Sequence, residues 1–260
     1  MRAMPHDELF SLDGKTALVT GGSRGIGRMI ATGLVEAGAA VYVASRKVED
    51  CESVAAELSR HGSCTALGAN LSTEDGCRAL AEALAERESR LDILVNNAGA
   101  TWGAPLEEFD EAAWERVLAL NVKGVFHLTK FLIPLLHAAG TQEDPARIIN
   151  IGSIDGIHVP VLETYSYSAS KAAVHQLTRH LARRLAPVIT VNAIAPGPFE
   201  SKMMAATLAT FGEQIAAAAP LKRIGRPDDM AGTAVFLASR AGSYLTGAVI
   251  PVDGGIATVG

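Results

Sequence analysis

A chain of 260 residues, 48% hydrophobic, 20% charged and 5% aromatic, lies outside the range of disordered chains and is long enough to bury a sizeable core. Its formal net charge of −5, without any run of lysines or arginines, argues against a duplex nucleic-acid binder, which must neutralise phosphates. Cys51, Cys64 and Cys77 are odd in number and too widely spaced for a C-x-x-C site, so neither a disulfide framework nor a metal centre is expected; with no signal-peptide pattern in MRAMPHDELFSLDGK and no uninterrupted apolar run near the ~20 residues that span a bilayer, a cytoplasmic protein is expected.

No linker or change of composition divides the chain, so one domain over 1–260 is expected. KTALVT (15–20) reads as a strand that ends in glycines and enters a helix, where Ile26, Ile30, Leu34 and Val35 recur at helical spacing and Gly38 marks the stop. AVYVAS (40–45) is the second strand, followed by a helix from about Val48 to Arg60, a strand at CTALGA (64–69), a helix from about Thr73 to Glu88 and a strand at LDILVN (91–96). After Gly99 two separate helices are expected near 107–120 and 122–136, then a strand at ARIINIGS (146–153) and a helix from Tyr165 to Leu185. VITVNAIAPG (188–197), short helices near 200–217, a helix after Pro227 and a strand at AVIPVDGG (248–255) complete the chain. Strand and helix alternate throughout. That pattern predicts an α/β, Rossmann-type doubly wound parallel sheet of about seven strands with helices on both faces and a ligand crevice at the carboxyl ends of the strands.

VTGGSRGIG (19–27) sets Gly21, Gly22, Gly25 and Gly27 between the first strand and the first helix. Such glycines let the chain turn sharply and bring backbone N–H groups and the positive helix end to a pyrophosphate. The spacing is G-x-x-x-G-x-G and lacks the G-K-[ST] of a nucleoside-triphosphate loop, so a dinucleotide is expected. The second strand ends Ala44-Ser45-Arg46, with no acid at its tip to take ribose hydroxyls. Arg24 and Arg46, with a serine hydroxyl between them, suit the extra phosphate of NADP(H) instead. Further on, Asn121, Ser153, Tyr167 and Lys171 fall where elements converge on the crevice. Tyr167 and Lys171, four apart on a helix, share a face, whereas Tyr165 stands ~240° around the helix from Lys171.

Taken in order, Thr20 to Gly27 (TGGSRGIG), Asn96-Asn-Ala-Gly99, Asn121, Ser153, Tyr167-x-x-x-Lys171 and Pro196-Gly197 resemble the short-chain dehydrogenase/reductase family over nearly the whole chain, and within it the NADPH-dependent 3-oxoacyl (β-ketoacyl) reductases. The resemblance implies hydride transfer to a carbonyl, with Tyr167 as proton donor, Ser153 orienting the carbonyl, Lys171 lowering the phenol toward about 7, and Asn121 holding a water that links Lys171 to solvent. It also implies a cofactor contact set of Gly21, Ser23, Arg24, Gly25, Ile26 and Gly27 in the glycine turn, and Ser45, Arg46, Asn70 and Leu71 beyond the second and third strands. Asn97, Ala98, Gly99, Tyr167, Lys171, Pro196, Gly197 and Ser201 complete it. Two positions depart from the family: Asn70 replaces the usual Asp, leaving an amide oxygen to accept from adenine, and Ser201 replaces the usual Thr. Family members are usually tetramers or dimers built on 107–136, 165–185 and the last strand.

A substrate lid is expected over about 198–222, with Met203, Met204, Leu208 and Phe211 as its apolar side chains. Asp155, where small residues are more usual, brings polarity to the pocket wall, while His158 packs or faces solvent. Pro187-Val188 stands where carrier-dependent reductases carry a basic docking residue, so a coenzyme A or a carrier-protein thioester both remain open. The alternatives are the same chemistry on another ketone or alcohol, or a dinucleotide sensor without turnover, for which Ser153, Tyr167 and Lys171 together would be unneeded.

Overall fold

The computed structural model describes residues 5–201 and 204–259. In chain order the main elements are α1 (His6–Phe10), β1 (Thr16–Thr20), α2 (Gly25–Glu36), β2 (Ala40–Ser45), α3 (Val48–Leu58), β3 (Cys64–Gly68), α4 (Glu74–Ala85), β4 (Ile93–Asn96), α5 (Glu111–Leu118), α6 (Val125–Ala139), β5 (Ala146–Ile151), α7 (Tyr165–Leu185), β6 (Ile189–Pro196), α8 (Ala205–Ala218), α9 (Pro227–Ala238), β7 (Val249–Val252) and α10 (Ile256–Val259). The seven strands form one sheet in the order β3-β2-β1-β4-β5-β6-β7, every pair parallel. The expected doubly wound architecture is therefore present.

Side-chain alternation on the strands supplies both halves of the core. Ala17 and Val19 of β1 join Ile30, Leu34, Val54 and Leu237 on one face, while Leu18 joins Leu80, Leu84, Leu128, Leu132 and Leu185 on the other. A period of two on a strand requires this division, and helix cover on both faces explains why β1, β5 and β6 are mainly apolar and wholly buried. Thr73 starts α4 by accepting from Gly76 N–H at 3.1 Å, and Asp110 starts α5 by accepting from Ala113 N–H at 2.8 Å. Since β1 pairs with β2 on one side and β4 on the other, the strand order reverses there. A crevice opens at the carboxyl ends of β1 and β4.

Three elements differ from expectation. The two helices after Gly99 are one continuous helix, Glu111–Ala139, joined through a π-helical segment, Ala119–Gly124. By length and composition this helix of 29 residues would be apolar enough to cross a membrane; here Leu128, Leu132 and Leu136 bury their side chains in the core. The region expected to hold short helices forms a single helix, α8, and β4 begins at Ile93, two residues late. Asp92 is spent at the strand entrance, where its carboxylate accepts from Thr16 N–H at 3.0 Å and pairs with Lys15 at 3.3 Å.

Candidate active site

The glycine turn is held open by its neighbours. Gly21 and Gly25 lie in the left-handed region, at φ +64° and +52°, which other L-residues adopt only at a cost of about 1–2 kcal/mol. At Gly27 a Cβ would fall 2.3 Å from the Gly21 carbonyl oxygen and 2.4 Å from Asn97 Nδ2. Asn97 is a strut beneath this turn: Nδ2 donates to Thr20 O (2.8 Å) and Gly21 O (3.2 Å), and its N–H donates to Thr20 Oγ1 at 2.9 Å. Thr20 Oγ1 also accepts from Ala98 N–H at 3.0 Å, fixing β4's exit against β1's exit. Ser201 closes the other side, its Cβ 3.1 Å from where a side chain on Gly25 would begin, and its hydroxyl accepts from Met204 N–H at 3.2 Å. Only a backbone without side chains leaves this floor free for a flat, charged ligand. That cradle fits a dinucleotide pyrophosphate.

At the rim, Arg24 and Arg46 are both exposed. The Ser45 hydroxyl donates to Lys47 O at 2.9 Å and accepts from Cys51 at 3.2 Å, both within the segment that follows β2. Asn70 likewise spends its amide oxygen locally, accepting from Ser72 N–H (3.3 Å) and Ser72 Oγ (2.8 Å), an Asx-type turn that competes with an adenine contact. Leu71 is buried in the core. Pro196 ends β6, with Gly197 packed so closely on Asp253 that a Cβ would lie 2.6 Å from its Cβ. Cys51, Cys64 and Cys77 are buried free thiols, and burial pushes Cys64 and Cys77 up to about 11.

Ser153, at the end of β5, and Tyr167 and Lys171 on α7 come together beside that floor. Ser153 and Lys171 are buried, and the Ser153 hydroxyl lies where it favours the phenolate of Tyr167. Lys171 Nζ donates to Ile151 O at 2.8 Å and lies 5.4 Å from the Tyr167 ring centroid. The expected lowering of the phenol toward about 7 is not found. Burial pushes Tyr167 up to about 12; Ser153 opposes the rise and Asp155 adds to it. Burial also brings Lys171 down to about 8, against the pull of Asp155. The reason is that Lys171 points its ammonium at a carbonyl rather than at the phenolic oxygen, so desolvation outweighs charge attraction. Tyr167 is therefore held as a neutral phenol.

Asn121 sits in the π-helical segment, fully committed through its amide: Nδ2 donates to Ala100 O and Ser170 Oγ (both 2.9 Å), and Oδ1 accepts from Ala100 N–H at 2.8 Å. One lone pair of Oδ1 is left. A Cβ on Gly99 would lie 3.4 Å from this oxygen and 3.8 Å from Lys171 Nζ, so Gly99 keeps open the space between the two. Tyr165 packs apart, its ring edge-on to Phe109 at 5.3 Å and its hydroxyl donating to Glu163 at 2.8 Å. Met203 lies outside the described residues; Met204 and Leu208 are half-buried and Phe211 is exposed.

Several residues shape the site by fastening its elements together. Asn96 donates to Asn150 (2.9 Å) and Thr129 (3.2 Å), and Asn150 to Thr178 (2.9 Å), a buried network that ties β4 and β5 to α6 and α7. His175, one turn beyond Lys171, is packed so tightly that a Cβ on Gly152 would lie 2.1 Å from its Nε2, a buried nitrogen with no hydrogen-bond partner among the described residues. Burial, then the Lys171 charge, brings it down to about 4. Its i+4 spacing from Lys171 was the available signal.

A parallel sheet with its crevice over a glycine turn, and a serine, a tyrosine and a lysine converging beside it, define the class of dinucleotide-dependent oxidoreductases. The model of the family described as Enoyl-(Acyl carrier protein) reductase matches residues 21–257. The rhamnolipids biosynthesis 3-oxoacyl-[acyl-carrier-protein] reductase of Pseudomonas aeruginosa is 52% identical over 249 residues, covering 95% of this chain and 97% of that protein. The 3-oxoacyl-[acyl-carrier-protein] reductase FabG of Thermotoga maritima is 34% identical, covering 94% and 98%. Among solved structures, the Pseudomonas aeruginosa RhlG/NADP active-site complex superposes with a TM-score of 0.93 at 51% identity, covering 96% of this chain and 98% of that one. The chain belongs to the short-chain dehydrogenase/reductase family.

Proposed function

We propose that this protein is an NADPH-dependent carbonyl reductase that acts on the 3-oxo group of an acyl thioester and yields the 3-hydroxy product. The observation that carries this reading is the meeting of a half-buried phenol, raised above its ordinary value, with Ser153 and a lysine ammonium held by the Ile151 carbonyl, beside a turn whose glycines keep its floor open. NADPH, when bound, supplies the hydride. Tyr167 gives its proton to the oxygen as that atom gains charge, which requires the phenol rather than the phenolate at neutral pH. Ser153, beside the same phenol, holds the carbonyl oxygen in line with that proton. Lys171, about 8 and therefore largely charged at neutral pH, stabilises negative charge on Tyr167 once the proton has left. Asn121, fixed on both sides of Ala100, presents its free lone pair toward a proton path from Lys171.

Arg24 and Arg46 at the exposed rim support NADP(H) over NAD(H), as does the NADP in the related RhlG complex. The names of the relatives support a 3-oxoacyl thioester. We further take 1–260 as one domain whose 198–222 segment covers the substrate, working in the cytoplasm as a homotetramer or homodimer. NADPH absorbance followed with acetoacetyl-CoA, longer 3-oxoacyl thioesters and simple ketones tests the reading. Turnover of the thioesters with NADPH is expected; turnover of simple ketones alone overturns the substrate, and a preference for NADH overturns the cofactor.

A further inference from the structure

Ser168 stands directly after Tyr167 on α7, and its hydroxyl bonds outside its own helix. Two neighbouring hydroxyls of α7 bond back to carbonyls of the same helix, Ser170 to Tyr167 O at 2.7 Å and Thr178 to Val174 O at 2.8 Å, as hydroxyls within helices commonly do. Ser168 Oγ instead donates across to Asp155 O at 2.6 Å. Asp155 is the middle residue of the one-turn 3-10 helix Ile154–Gly156, and its N–H donates to Ser153 Oγ at 3.2 Å. The Asp155 backbone is thus held on both sides, by the serine next to Tyr167 and by the serine of the candidate active site.

Taking Ser153 as the group that orients the carbonyl in the proposed reaction, we propose that Ser168 is a positioning residue that sets Ser153 against Tyr167. Other contacts fix the two ends of the turn. Before Ser153, Gly152 N–H donates to Ile194 O of β6 at 2.7 Å; after it, Gly156 is pressed on α7 so closely that a Cβ would lie 2.7 Å from the Lys171 carbonyl carbon. Between these ends, the Ser168 bond ties the residue that donates to Ser153 Oγ to the turn of α7 that carries Tyr167. A serine hydroxyl has one hydrogen and two lone pairs. With one lone pair of Ser153 taken by Asp155 N–H, its hydrogen is left for the carbonyl oxygen that Tyr167 protonates. A donor of this kind helps a reaction only while it is held in place beforehand, and here the hold runs through Asp155 to Ser168.

The test joins amide exchange to a double-mutant cycle, both on the full chain. Without substrate or cofactor, hydrogen–deuterium exchange of the 154–158 amides should run about three- to tenfold faster in Ser168→Ala than in wild type. Ser168→Thr, which keeps the hydroxyl, should exchange at the wild-type rate. Rates are then read by single turnovers of NADPH with acetoacetyl-CoA and with a simple ketone, so that the slow Ser153→Ala background is measured too. Ser168→Ala should lower the turnover rate about three- to tenfold and leave NADPH affinity within about twofold, and Ser168→Thr should restore the rate. In the Ser153→Ala background the same Ser168→Ala change should alter the rate by less than about twofold, because its effect passes through Ser153. A fall of equal size in both backgrounds, which a merely structural role would give, overturns the proposal. Unchanged exchange in Ser168→Ala, or a Ser168→Thr variant as slow as Ser168→Ala, overturns it as well. Exchange needs no substrate, so a failure of the thioester assignment shows in turnover alone and is told apart from a failure of this hold.

Discussion

His175 should make the protein acid-sensitive over a defined window. Its imidazole is 4% exposed and is held neutral, down to about 4 from an ordinary value of 6.5. A folded-state pKa depressed in this way means that the unfolded chain takes up a proton first. The contribution is therefore fully present above pH 6.5 and is lost as pH falls toward 4. Integrated to pH 4.5, the loss is about 2.5 kcal/mol. The perturbation is His175→Gln, which cannot titrate. Urea unfolding of both proteins at pH 7.5, 6.5, 5.5 and 4.5, at one protomer concentration, gives the difference in stability at each pH. The variant loses packing at every pH, but its deficit should shrink, or reverse, by that amount as pH falls. A deficit constant from pH 7.5 to 4.5 would refute the reasoning.

Gly25→Ala places a Cβ 3.1 Å from Ser201 at φ +52°, and NADPH titration should show affinity at least tenfold weaker. Replacing Arg24 and Arg46 together by Ala should cut the ratio of NADPH to NADH kcat/KM by about 5–150-fold, since each hydrogen bond at this exposed rim contributes about 0.5–1.5 kcal/mol net; a ratio that stays fixed removes their role. Gly99→Ala makes only ordinary contacts with Asn121 and Lys171, so thermal unfolding should be little changed while kcat falls roughly tenfold or more from the filled proton path. Tyr165→Phe loses a bond to Glu163 and should leave steady-state rates within about threefold.

Fold and site were legible in the sequence to different depths. Strand placement followed from short β-branched runs, as in β1 and β5, and the doubly wound order followed from their alternation with helices. The join at 119–124 was not legible, because a π-helical step leaves apolar spacing almost intact on both sides of Asn121. Tyr167 and Lys171 were readable from spacing alone. Their protonation was not, because it depends on where the ammonium points and on a desolvation set by tertiary packing. Ser45 and Asn70 show the same limit: residue type admits a ligand contact, while the local bonds their polar atoms make are set by the folded turns. Thr20 and Asn97 lie in motifs the sequence displays, but their role, like that of Asn150, is to fasten elements distant in sequence, which no local pattern records.

The central claim is that Tyr167 supplies the proton. Tyr167→Phe removes one oxygen from a side chain whose ring contacts and helix are otherwise kept, so binding and chemistry separate cleanly. NADPH binding followed by fluorescence should stay within about threefold of wild type, while NADPH oxidation with a 3-oxoacyl thioester should fall by about 100-fold or more, the contribution of one positioned proton donor. Retention of more than a tenth of the wild-type rate would contradict the account.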